Sequence, residues 1–408
     1  SRVKRRFRDA DQVFAKDVQR LIGLIEQNSH IKVVDLPGKF FENGGKDELA
    51  VESPGEPATG GEGVADASVS NIDPERLRAT GAVAVWLTPA AGLENLWLKL
   101  ESGNPAGSFK DRFGAAAISA MRSENQTRCV ATSSGNTGSA VAAYSAAAGL
   151  RCEIAVVETA PAGKLRQMMA YGATVFRIKD SGLDPDLSSR AFQVLMAQGE
   201  APDTRLQVSS YIYSVPGMTG VETISFELAE QAERQLPRAI DHVFCPAGGG
   251  GLCVAVCRGF GRLVSEQRLT VSPAIECVQP EGNDTMASAL SEGADRARPI
   301  TCTTSISGLQ VPNINDGHLV VDELRPTGGR GQLVTDEAVW NMQQRLATEE
   351  GVFTEPAGAT ALAGCLEAVA AGRVDPDAVV VCLVTGSGFK DEASVDRMLD
   401  GVECPALT

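Results

Sequence analysis

CVATSSGNTGSAVAAYSAAAG, residues 129–149, decides how the rest of this 408-residue chain is read. Small apolar residues run into two serines, a glycine and an asparagine, and an uncharged alanine-rich run follows from about Asn136. A strand at 129–134 that turns into a helix fits this order, because Ser, Thr and Asn favour helix starts. The same rhythm recurs from about residue 82 to the end. Strands are expected at 82–87, 96–101, 129–134, 152–158, 174–178, 242–248, 274–280 and 379–386, with helical runs such as 138–149 and 358–372 between them. Short apolar strands alternating with helices predict an α/β fold, with mostly parallel sheets covered on both faces. In such folds a ligand sits beyond the carboxyl ends of the strands, which selects the strand-to-helix loops for inspection.

Length and composition bound the possibilities. A chain of 408 residues exceeds one compact core, so two domains, or a large one with a satellite, are expected. With 43% hydrophobic and 22% charged residues the chain reads as globular, and its net charge of -15 counts against a nucleic-acid or anionic-membrane partner. The basic opening SRVKRRFRDADQVFAK reads as a solvated arm. No run of eighteen apolar residues and no secretory h-region is found, so the cytoplasm is the expected location. The ten cysteines form no CxxC and no Cys/His cluster at zinc spacing, so no metal is expected and most should be buried thiols. Cys253 and Cys257, four apart on an expected helix, read as small core residues.

Apolar residues at helical spacing (Val13, Val18, Leu21, Ile22, Ile25) predict a helix within 9–31. Residues 40–73, rich in Gly, Glu and Pro, read as a linker, and Pro74 is placed to open a short helix. Residues 1–80 are therefore an extension to the main body.

Three loops stand out. At 131–140 hydroxyls and glycine enter a helix N-terminus, whose unpaired N–H groups suit a carboxylate or phosphate. At 245–256 four consecutive glycines, Gly248 to Gly251, let a ligand approach backbone N–H groups; neither GK[ST] nor the dinucleotide fingerprint is present. At 383–392 an apolar strand ends in Thr385, Gly386 and Ser387, whose hydroxyls can bond a ring nitrogen or cap the next turn. A fourth stretch, SGNPAGSFKDRFG at 102–114, carries Lys110. A partly desolvated lysine forms imines. Lysine, phosphate cradle, anion loop and ring-facing hydroxyl together are what pyridoxal 5'-phosphate requires.

NPAGSFKDR, SSGNTG, PAGGGGL and VTGSGFKD, in this order, resemble the fold-type II, tryptophan synthase beta-like pyridoxal phosphate enzymes over roughly residues 82–395. The resemblance implies two three-layer α/β/α domains with the cofactor in the cleft between them. It implies a body at 81–395 with a smaller subdomain at about 125–225, a tail at 396–408 and a homodimer. Lys110 would carry the cofactor as an imine, and Asn136 would contact its 3'-oxygen. Gly248, Gly249, Gly250, Gly251 and Leu252 would hold the phosphate. Ser133, Ser134, Gly135 and Thr137 would bind the substrate carboxylate, and Thr385, or else Ser387, would face the pyridine nitrogen.

Within the family, SFKDR, GVFTEPAGATALAG at 351–364 and TGSGFKD are most similar to threonine synthase, whereas PAGGGGL is more like the dehydratases. Threonine synthases usually grip a substrate phosphate with an NPxR-type stretch before a GxxT. Here SSYIYSVPGMTGVET, 209–223, keeps Gly220 and Thr223 but has no arginine. The expected function is beta- or beta,gamma-elimination or replacement on a small amino acid with a specialised substrate, through an aminoacrylate-type intermediate. The alternatives are a serine/threonine ammonia-lyase and a non-catalytic amino-acid sensor. Arg112, Lys164, Arg166 and Lys390 are candidates for a distal anion site, or else surface charges, and 307–317 is placed at the cleft mouth.

Overall fold

The computed structural model describes residues 82–84, 93–158, 160–179 and 185–404. The helix expected within 9–31, the linker at 40–73, the helix opened by Pro74, the end of the first expected strand and the last four residues lie outside them.

Ten strands, numbered in chain order, form two sheets among the described residues. The larger runs β1 (Ala82–Ala84), β2 (Asn95–Leu100), β10 (Val379–Val384), β7 (His242–Pro246), β8 (Ala274–Pro280) and β9 (Gly331–Val334). Only β1 is antiparallel to its neighbour. The smaller runs β5 (Thr174–Ile178), β4 (Arg151–Val157), β3 (Arg128–Thr132) and β6 (Thr204–Gln207), all parallel. All four of its strands lie in the chain between β2 and β7. The expected α/β architecture of mostly parallel sheets is the observed one.

Two strands have no counterpart in the sequence reading. β6 and β9 are four residues each, TRLQ and GQLV, too short and polar to carry a hydrophobic rhythm, and each completes a sheet edge. The central strand β10 is buried at every position. Its residues alternate between two cores: Val381 and Leu383 face one, Val380, Cys382 and Val384 the other. Helices Asp336–Glu350 and Pro356–Ala370 cover the second face through Val339, Leu346, Leu362 and Cys365. The first face opens into a cluster that continues through Phe113, Ile118 and Met121 of helix Lys110–Ser123 to Cys129 and Ile154 of the smaller sheet. That helix is thus packed between the sheets. Eight of the ten cysteines are buried free thiols, Cys253 and Cys257 among them.

The two charged residues after Lys110 explain its placement. Asp111 accepts from the Ala106 N–H (2.9 Å) and the Ser108 N–H (3.3 Å), folding the preceding turn back onto the helix start. Arg112 donates from Nε and Nη2 to both oxygens of Glu101, each at 2.7 Å, and also to Glu227 and to Thr223 Oγ1 (3.0 Å). Lys99, 1% exposed, completes the network 2.8 Å from Glu227. This is why Thr223 accompanies SFKDR: strand β2 and helices Lys110–Ser123 and Thr223–Gln235 are tied through one guanidinium.

Removing one member of a buried ion network leaves the others uncompensated. Glu227→Ala is therefore expected to lower the unfolding free energy by about 3–5 kcal/mol. Chemical denaturation measures it, and a loss below about 1 kcal/mol, the range of surface pairs, would show the network to be dispensable.

Candidate active site

The strand ends gather the four loops. The Phe109 N–H donates to Thr385 O at 3.0 Å, and Ser108 bridges Gly386, so the lysine loop is stitched to the end of β10. Lys110 begins its helix, and its Nζ donates to Ser209 Oγ at 2.6 Å. Burial lowers its ammonium from the ordinary 10.5 to about 8, against the opposing pull of the Asp316 carboxylate. Ser209 follows β6, and its carbonyl lies 3.6 Å from where a side chain on Gly251 would begin.

Gly251 opens helix Gly251–Ser265 directly after Gly250, which has φ 91° and so favours glycine. The first-turn N–H groups of such a helix have no intrahelical acceptor. On the side where side chains would stand, the loop is filled by the segment 308–320, with Gly308 O beside Gly248 and Val320 beside Gly250. The Asp316 N–H donates to Gly249 O at 3.0 Å. The polar stretch 307–317, placed at the cleft mouth from sequence, backs the glycine loop instead.

The loop after β3 starts its helix at Asn136, as its composition predicts. Ser133 Oγ accepts from the Gly135 N–H (3.2 Å), and Ser134 Oγ accepts from the Val157 N–H (3.1 Å), so both hydroxyls help build the turn. Thr137 is buried. Asn136 donates from Nδ2 to Glu355 Oε1 at 2.5 Å, while its Oδ1 is buried without a partner. Glu355 Oε2 lies 3.3 Å from Lys164 Nζ, and both side chains are 1% exposed. Gly386 passes between: a Cβ there would sit 2.3 Å from Glu355 Oε1 and 3.3 Å from Asn136 Nδ2. Beside it, Ser387 Oγ accepts from the Phe389 N–H at 3.4 Å, whereas the Thr385 hydroxyl has no hydrogen bond among the described residues.

Three residues escape the sequence reading as site members. Ser209, Glu355 and Asp316 all lie in stretches singled out for other reasons, and only Glu355, an acid directly before the proline of a helix start, carries a local sign. Of the four cations considered for a distal site, Arg112 is spent on Glu101 and Glu227, and Arg166 is a surface residue 3.9 Å from Glu392. Lys164 and Lys390 are buried around Glu355: Lys164 donates to Ser307 Oγ (3.1 Å) and Lys390 to Gln167 Oε1 (2.9 Å). Burial lowers Lys390 to about 8, partly offset by Glu355. Among the described residues no cluster could hold a metal ion, and no helix is long and apolar enough to cross a membrane.

These groups fit an anionic carbonyl cofactor: a desolvated amine, a helix N-terminus behind glycines and an unengaged threonine hydroxyl. With two parallel sheets whose strand ends converge on that amine, they define a fold-type II pyridoxal phosphate enzyme. Residues 84–386 match the family model described as pyridoxal-phosphate dependent enzyme, and the chain belongs to that family. It is 32% identical over 322 residues to the threonine synthase of Halalkalibacterium halodurans, covering 77% of this chain and 85% of that protein. To the threonine synthase of Methanocaldococcus jannaschii it is 30% identical over 311 residues, 75% of this chain and 73% of that protein. The crystal structure of a threonine deaminase from T.th. superposes with a TM-score of 0.59 at 26% identity, covering 72% of this chain and 87% of that one.

A buried amine loses its proton as the pH rises through its lowered value. In cofactor-free protein carrying isotopically dimethylated lysines, two resonances should titrate near pH 8, one missing in Lys110→Ala and the other in Lys390→Met. Titration of both at the ordinary lysine value would refute the desolvation described here.

Proposed function

We propose that this enzyme is a lyase or synthase that eliminates or replaces a substituent at the beta, or beta and gamma, carbon of a small amino acid, in the manner of the threonine synthases. The observation that carries this reading is the Lys110 amine, lowered to about 8 and held by Ser209 among the convergent loops. We assign Lys110 the covalent hold on the cofactor, Gly248, Gly249, Gly250, Gly251 and Leu252 its phosphate, and Asn136 its ring oxygen. Ser133, Ser134, Gly135 and Thr137 take the substrate carboxylate, through the helix N–H groups more than through the serine hydroxyls, which are engaged in the turn. Thr385 faces the pyridine nitrogen in preference to Ser387, whose oxygen is engaged by Phe389.

When bound, pyridoxal phosphate draws electrons from the substrate's alpha carbon. Lys110, as a free amine beside the substrate, would then take the alpha proton, as an amine titrating near neutral pH can. Ser209 orients that amine by accepting its hydrogen bond at 2.6 Å. Thr385 offers a neutral hydroxyl, which does not hold a ring nitrogen protonated as a carboxylate would, and so favours prompt loss of a beta substituent. Water or a second nucleophile then decides between elimination and replacement.

The ammonia-lyase reading is supported by the glycine-rich loop and by the likeness to a threonine deaminase. A non-catalytic sensor is disfavoured by the presence of Lys110. We place the enzyme in the cytoplasm as a homodimer with a small amino acid as its only required partner.

Purified protein is expected to be yellow and Lys110→Ala to lose the internal absorption band. Serine, threonine, cysteine, homoserine and their phospho- and acetyl-esters separate the reactions. Oxo acid with ammonia identifies the lyase, phosphate or acetate with a new amino acid identifies the synthase, and a colourless protein that takes up no pyridoxal phosphate would sink both.

A further inference from the structure

The turn that carries Ser209 is held by a single buried acid. Asp316, fully buried before helix Gly317–Leu324, accepts at Oδ1 from Ser210 Oγ (2.8 Å), and both its oxygens lie 3.0 Å from the Tyr211 N–H. Its own N–H donates to Gly249 O at 3.0 Å, and its Oδ2 lies 2.9 Å from where a side chain on Gly251 would begin. One residue therefore joins the two, its side chain on the turn over Lys110 and its backbone N–H on the glycine loop, and its charge acts on the Lys110 amine.

The charges around this turn are unusual for a site that must grip a phosphate ester. Residues 207–214, QVSSYIYS, contain no charged side chain. The two arginines nearest Tyr211 are committed elsewhere. Arg258 stacks 4.1 Å over the Tyr211 ring with its guanidinium on both oxygens of Glu323, and Arg262 lies 2.7 Å from Glu222, which also accepts from the Tyr211 hydroxyl at 2.9 Å. A substituent reaching from the substrate toward Ser209 meets its hydroxyl, with the Asp316 carboxylate behind it on the buried Ser210. Neutral hydrogen-bonding groups are satisfied there, whereas a dianion meets a like charge and no guanidinium.

We propose that Asp316 is a positioning residue that sets the charge preference of the substrate pocket: it holds the 209–211 turn over Lys110 and directs the enzyme to amino acids with a neutral, hydroxyl-type side chain, against their phosphate esters. The proposal rests on the functional reading above and names its substrate class.

The test titrates the holoenzyme's absorption spectrum with matched pairs, serine against phosphoserine and homoserine against phosphohomoserine, and follows turnover in parallel. Wild type is expected to bind the hydroxy member at least about tenfold more tightly. Asp316→Asn should shrink that ratio about tenfold, and Asp316→Glu should restore it. A residue that served packing alone would weaken both members equally, which overturns the proposal, as does tighter binding of the phosphate esters by wild type. If Asp316→Asn fails to fold, the wild-type ratio alone decides. Binding without product refutes the reactions proposed above while the ratio still judges Asp316; a spectrum that responds to no amino acid overturns both.

Discussion

The two-pronged bond between Arg112 and Glu101 is the constraint on which the rest of the molecule depends. Glu101 directly follows β2 and Arg112 lies two residues beyond Lys110, so the pair sets the helix start against the carboxyl edge of the larger sheet. That tie adds to the bonds of Asp111 and the Phe109 N–H in fixing the first turn of helix Lys110–Ser123, and the amine with it. The ion network is buried, so its geometry matters more than its charge: paired and hydrogen-bonded, it specifies one arrangement of strand and helices, though it need not add net stability over an apolar packing. Lys110 can be kept from water because its neighbours are held by other means.

The same logic governs the contact between the two sheets. Asn136 starts a helix of the smaller unit and Glu355 directly precedes one of the larger, and their bond passes Gly386, where a Cβ would crowd the Glu355 carboxylate. Lys164 reaches Glu355 from the smaller unit, while Lys390 reaches Gln167 from the larger. Polar links thus run in both directions across the cleft beside the apolar cluster. An amide held in this way keeps its NH2 toward the acid, since its oxygen would be repelled there, and this leaves Oδ1 as the group without a partner. A buried acceptor left open costs about 1–3 kcal/mol, so the site stores a demand for a donor that a bound ligand can meet.

How far the sequence carries the reading follows from the range of the interactions. β8 and β10 are runs of apolar residues whose environment is local, and the loops after β3, β7 and β10 announce themselves by Ser, Gly and Thr at strand ends. Lys110 was legible because its setting recurs in a known family. β6 and β9 were not, since four residues at a sheet edge are defined by the strand beside them. Ser209, Glu355 and Asp316 were missed for a related reason. Ser209 meets Lys110 across 99 positions, Glu355 meets Asn136 across 219, and Asp316 meets Tyr211 across 105. Each looks ordinary beside its chain neighbours.

The distribution of charge then bears on which reactions this framework favours. Around Glu355 two lysines face the carboxylates of Glu355 and Asp111, on the side of the cleft where Asn136 and Gly386 meet. Around Ser209 one carboxylate, Asp316, faces the reactive amine, and every nearby arginine is paired. The end at Glu355 is thus balanced in charge, whereas the end at Ser209 carries one carboxylate, with Lys110 between them. A substrate with its carboxylate toward the helix start at Asn136 and a neutral side chain toward Ser209 would keep its charge away from Asp316. One with a second anion on its side chain would bring that anion toward Asp316.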